Sequence, residues 1–279
     1  MVAVVALVSA VIVILPVTLL WLSFRDAHPV EALSTYSFQH YFKGYGDSFL
    51  WEVLGNTLGF SFITLAVALF FGLIAAWLAV RTDLPGKSVL YTSMTLGVLM
   101  PGFASAMGWL FLLHPRIGLL NQYLMDTFGF SDAPLNIASV PGMGFVQGLS
   151  LAPVAFVMTA AVLRAIDPSL EESAQILGAS WMQTMREITL PLIRPGLFAG
   201  WLLVFVPVIQ ELSASILLFS SKSITLAVAI YNLYETGYIE PVAALAMINM
   251  LIIGAAIFVA NKLGGGRIAS RSGAQGIAS

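Results

Sequence analysis

Charge is missing from long stretches of this chain, and that decides what it can fold into. Six segments reach the roughly 20 residues a helix needs to cross about 30 Å of hydrocarbon. They run from Val2 to Leu22, Asn56 to Val80, Ser88 to Leu113, Ser139 to Leu163, Gly196 to Phe219 and Pro241 to Asn261, and among them only the fifth holds an acid, Glu211. Lipid offers the backbone no hydrogen-bond partner, so each segment is predicted to be a helix. A transmembrane barrel would alternate in polarity, whereas Val53 to Val80 is one continuous apolar run. With 59% hydrophobic residues and a mean hydropathy of +0.92 over 279 residues, the apolar surface exceeds what one soluble core can hide. The expected class is all-α: a polytopic membrane protein with six spans within residues 1–263, and a Gly/Ser/Ala-rich tail at 264–279 expected to be disordered.

Several function classes fall away at once. A net charge of −2 lacks the basic footprint of a nucleic-acid binder, so no nucleic-acid partner is expected. Without cysteine there is no thiolate metal site or Cys nucleophile, and His28, His40 and His114 form no HExxH helix. No metal site and no catalytic residue are therefore expected. The first segment has no basic lead-in and no A-x-A site before Arg25, so it reads as an uncleaved span rather than a signal peptide. With the N-terminus inside, Arg81, Lys87, Arg164, Arg186, Arg194, Lys262, Arg267 and Arg271 face the cytoplasm, against Arg25, Lys43, Arg116 and Lys222 outside. That bias puts both termini in the cytoplasm. Residues 23–55 and 114–138 become external loops, and Ser223 to Tyr234 is apolar but too short to span, so it is expected as an external or re-entrant helix.

Two strings imitate known chemistry. Gly44-Tyr45-Gly46-Asp47 resembles a channel filter or an aspartyl-protease string, but it follows Phe42-Lys43 in a charged loop and has no second membrane aspartate; it reads as a Gly-rich turn. Gly86-Lys87-Ser88 resembles the end of a phosphate loop, yet Arg81 stands where the first glycine belongs, which leaves a Pro85-Gly86 turn.

The largest polar segment between spans, 164–195, is punctuated as a helical hairpin. Asp167-Pro168 supplies a cap and an opening proline, and Glu171 and Glu172 sit at the positive end of the helix dipole. Gly178 can take the left-handed conformation that ends this first helix. Ser180 with Gln183 then makes a capping box for a second helix, expected to stop at Pro191. Leu170, Ala174 and Leu177 share one face of the first helix, as do Trp181, Met185 and Ile188 of the second. Such a pair can dock in a partner's groove.

Glu172-Ser173-Ala174, three residues, Gly178, nine residues, then Ile188-Thr189-Leu190-Pro191 resembles the EAA loop of binding-protein-dependent ABC importer permeases, with Ser173 in place of the middle alanine. The resemblance implies the type I permease fold and a coupling helix seated in a cytoplasmic ABC ATPase dimer. Glu172, Ser173, Ala174, Gly178, Ile188, Leu190 and Pro191 are carried over as coupling residues. It also implies a periplasmic solute-binding protein, a second permease half that is identical, different or fused, and location in the bacterial inner membrane. No cofactor is expected in this chain, since ATP and Mg belong to the partner ATPase. The bare start of the chain leaves open that it corresponds to half of a double-length permease.

Glu211 inside a span is costly unless it faces water or a partner, so with Gln210, Ser213 and Ser215 it becomes a candidate for the translocation pathway or gate, the alternative being an interhelical hydrogen bond. Pro207 can loosen the helix one turn earlier. From Glu211 to Phe219 and Thr225 to Tyr234 the chain resembles the C-terminal half of ferric-iron-type permeases, which points to ferric iron as cargo, with thiamine, aminoethylphosphonate or polyamines as alternatives. An ion-coupled secondary transporter is the reading from another class, with Glu211 as its proton site. A membrane enzyme would need a nucleophile and base pair that the sequence does not supply.

Overall fold

The computed structural model describes residues 2–26, 35–46 and 48–263, and among these no strand forms. In chain order the helices are α1 (Val2–Ser23), α2 (Gln39–Gly46), α3 (Ser48–Arg81), α4 (Lys87–Val98), α5 (Gly102–Leu113), α6 (Leu119–Phe128) and α7 (Val140–Arg164). There follow α8 (Ser169–Ile176), α9 (Trp181–Thr184), a π turn (Met185–Thr189), α10 (Leu190–Ile209), α11 (Ser215–Leu218), α12 (Leu226–Glu235) and α13 (Ile239–Leu263). The tail at 264–279, with Arg267 and Arg271, and His28 lie outside the described residues.

The centre of the bundle is the pair α3 and α7, which bring small residues together: Ala68, Ala75, Ala76 and Ala79 on one, Ala152, Ala155 and Ala160 on the other, all buried. Their backbones nearly touch. A Cβ on Gly72 would lie 2.6 Å from the Ala155 Cβ, 2.8 Å from the Phe156 nitrogen and 2.9 Å from the Ala152 oxygen. In lipid, where apolar side chains gain nothing by leaving their solvent, this close van der Waals approach of small residues is what holds helices together. α10 and α4 flank the pair, while α1 lies along α13 with none of its apolar window buried.

Among the described residues five helices are long and apolar enough to cross a membrane, and the α4 and α5 pair raises the number to six if it counts as one span. That pair corrects the expectation of an unbroken helix from Ser88 to Leu113, because its arms are bent by 105°. Pro101 donates no N–H and pushes Met100 away from helical geometry, so the chain turns at residues 99–101 and restarts at Gly102. A second correction concerns the fifth span. The helix runs to Ile209 and breaks at Gln210, leaving Glu211 in a short loop before α11 rather than inside a helix ending at Phe219. A third concerns Gly44 to Gly46, which close α2 instead of forming a plain turn; Asp47 lies outside the described residues. The Pro85-Gly86 turn is present, with Gly86 at φ +81°.

At the end of the bundle away from the 164–195 hairpin, α3 is tied to the segment leading into α12. The Asn56 amide donates to the carbonyls of Lys222 (3.2 Å) and Ile224 (3.1 Å), and the Leu226 N–H donates to the Thr57 hydroxyl at 2.7 Å. Asn121, fully buried, joins α6 to its surroundings: its amide donates to the carbonyls of Leu113 and Leu135, and its oxygen accepts the Leu135 N–H.

Candidate functional site

The hairpin folds as its punctuation predicts at three points. Gly178 has φ +91°, a left-handed residue closing α8. Ser180 and Gln183 make the reciprocal capping box. Asp167 Oδ1 accepts the Ser169 N–H at 2.9 Å, and hydrogen bonds from the Ser169 backbone first and its side chain second hold the Asp167 carboxyl below its ordinary range. The second helix does not stop at Pro191. It passes through the π turn into α10, with Pro191 in the first turn of that helix. A proline ring is blocked by the carbonyl four residues back, here that of Glu187, and Glu187 lies in the π turn, where hydrogen bonds span five residues and the usual fourth-residue bond is not required.

Packing divides the apolar residues differently from the face pattern. Ala174 is buried, and Leu170 is exposed. Ile176 and Leu177, 84% and 88% exposed, stand out at the tip beside Gly178, with Met182 and Trp181 also open. Glu172 and Ser173 are exposed on the same outer side, the Ser173 hydroxyl donating to the Ser169 carbonyl at 2.7 Å. Ile188 is half-buried, Leu190 and Pro191 exposed.

What fixes the hairpin to the bundle is a cluster that the motif does not contain. Arg81, the last residue of α3, donates from Nε to Glu171 Oε1 at 3.2 Å and from Nη2 to the carbonyls of Leu163 (3.0 Å) and Ile166 (3.2 Å) at the end of α7. The same Glu171 oxygen accepts the Thr189 hydroxyl at 2.9 Å. One guanidinium thus joins α3, the end of α7 and α8, and through Glu171 the π turn. The Arg81 and Glu171 side chains are only 8% and 14% exposed, so bulk water screens the pair weakly. Trp77 meets Trp181 edge to face at 6.1 Å, an aromatic contact worth about 1 kcal/mol beyond its area.

The other candidate cluster is less coherent. Gln210 and Ser213 are exposed, Glu211 is half-buried and Ser215 fully buried. Glu211 Oε1 accepts the Ala214 N–H at 2.8 Å, so the bond it makes is a local cap at the start of α11 and not an interhelical tie. The Ser215 hydroxyl has no hydrogen-bond partner among the described residues, nor have Ser61 and Thr64 on α3 or the Gln147 oxygen on α7. Buried polar atoms left so cost about 1–3 kcal/mol each unless water or a ligand meets them. Unlike Ser215, the residues Ser61, Thr64 and Gln147 carry no sequence signal, because an isolated Ser, Thr or Gln in an apolar run has no spacing pattern.

Residues 68–264 match the family described as binding-protein-dependent transport system inner membrane component. The chain is 31% identical over 214 residues to the molybdenum transport system permease protein ModB of Escherichia coli, covering 72% of this chain and 91% of that one. It is 29% identical over 218 residues to the putative ferric transport system permease protein FbpB 1 of Haemophilus influenzae, covering 76% of this chain but 33% of that longer one. Its fold is similar to that of a bacterial ABC transporter involved in the import of the acidic polysaccharide alginate, with a TM-score of 0.73 at 19% identity over 94% of both chains. The chain belongs to the family of inner membrane components of binding-protein-dependent transport systems, the permease subunits of ABC importers.

Proposed function

We propose that this permease couples ATP hydrolysis to import through the 164–195 hairpin, which faces the cytoplasm and seats in a groove of an ABC ATPase dimer. The observation that carries the reading is the combination of an exposed apolar tip, Ile176 and Leu177, with a base locked by Arg81, Glu171 and Thr189. Apolar residues so exposed on a capped turn call for a groove, and a locked base passes on the force applied there. Flipping a two-state bundle from 1:99 to 99:1 takes about 5.5 kcal/mol of differential binding, which a loose handle could not transmit. Glu172, Ser173 and Gly178 lie on the docking side; Ala174, Ile188, Leu190 and Pro191 shape the hairpin behind it.

A periplasmic solute-binding protein and a second permease half complete the assembly. α4 supports the second half, since none of its residues is buried within this chain and a helix broken at membrane depth needs protein or water around it. The cargo we assign is a small inorganic ion. The C-terminal resemblance favours ferric iron, and the match to 91% of a molybdenum permease favours molybdate.

Leu177→Cys should cross-link to the ATPase subunit in membranes, and Leu177→Asp should abolish transport while the permease still inserts. Cross-linking that recovers no ATP-hydrolysing subunit, with Leu177→Asp transporting normally, would overturn the assignment. Uptake of labelled iron against labelled molybdate in the same vesicles separates the two cargoes.

A further inference from the structure

At the hairpin end Arg81 is held by Glu171, and Arg164 lies 4.9 Å from the centre of the Tyr91 ring. Arg186 and Arg194 differ. Neither has an ion pair or hydrogen bond among the described residues, and both are exposed. They are eight residues apart on the continuous stretch from the π turn into α10, so they lie on one side about two turns apart. Both line one groove of about 680 Å³, whose upper wall is Leu73 of α3 with Leu197, Phe198 and Trp201 of α10. The groove is charged at one end and apolar at the other.

α10 has 20 residues, about the hydrocarbon thickness, and Arg194 is four residues inside its start while Arg186 is one turn outside. An unpaired guanidinium at that level is costly unless an anion meets it. Glu211, the acid of the fifth apolar segment, lies at the far end of α10, and Glu187, beside Arg186 in the π turn, makes no ion pair with either arginine.

The geometry points to an anionic phospholipid in this groove, its phosphate between Arg186 and Arg194 and an acyl chain along Leu197, Phe198, Trp201 and Leu73. Two guanidiniums at headgroup depth above an apolar wall match the two ends of such a lipid. The assignment does not rest on ATPase docking or on the cargo, and its test reads neither.

The full-length chain, purified with the subunits it carries, is exchanged into nanodiscs of phosphatidylcholine containing a minor fraction of phosphatidylglycerol, and retained lipid is read by native mass spectrometry. The wild type should retain phosphatidylglycerol in preference to phosphatidylcholine. Each guanidinium should contribute about fivefold, so R186Q with R194Q should lower its occupancy about 25-fold. R186K with R194K should keep most of it, which separates loss of charge from loss of fold. Retention by the Gln pair equal to wild type, or a Lys pair that loses lipid as fully as the Gln pair, would overturn the proposal. So would an efficient disulfide between permease halves through Phe198→Cys with no lipid retained, since the second half would then occupy the groove.

Discussion

At the scale of single residues, Arg81 carries more than its position at a helix end implies. Its charge is nearly buried, held by one carboxylate and two carbonyls, and losing it would leave Glu171 enclosed with only Thr189 for a partner. Arg81→Gln should cost about 2–3 kcal/mol of stability, and Glu171→Gln a similar amount. The double change should cost less than the two single losses combined, read from thermal unfolding in detergent. ATP hydrolysis by the assembled transporter should persist while transport falls, because the hairpin would stay docked but come loose from the bundle. This clamp was only half visible in the sequence. The motif spacing drew attention to Glu172, which faces outward, whereas the clamp uses its neighbour Glu171 and a partner 90 positions upstream. No local pattern links positions 81 and 171; only the parallel run of α3 and α7, which ends both helices at the same place, brings them together.

At the scale of elements, the existence of the spans was legible and their continuity was not. Apolar composition reports the cost of leaving lipid, and it is blind to a backbone that turns while still within it. Pro101 breaks α4 from α5 and the Glu211 cap follows the break in α10, each inside a window whose length and apolar composition suffice for one span. The hairpin shows the reverse: Gly178 and the Ser180 box act locally and could be read directly, while the π turn that carries the helix past Pro191 could not. Packing of α3 on α7 offers a sharp test. Gly72→Val should drive the helices apart and cost about 3 kcal/mol, since the added atoms meet backbone at Phe156 and Ala152. Gly108→Ala, where a Cβ meets nothing within 4 Å, should leave thermal stability unchanged or slightly raised.

At the scale of the whole molecule, α3 is a single helix of 34 residues, about 51 Å long. Near one end Asn56 and Thr57 hold the strand of chain entering α12; at the other Arg81 grips Glu171. A rod pinned at both ends works as a pushrod: a tug at its foot reaches its head within the same stroke, with no intermediate joint to absorb it. Softening its shaft should therefore disconnect the two ends without loosening either pin. Phe62 and Phe70, exposed on α3, are places to do so. Converting both to glycine should weaken the helix by roughly 1 kcal/mol each. Spin labels beside Lys222 should then stop responding to ATP while labels beside Glu171 still do; if both still respond together, motion passes between the ends by some other member.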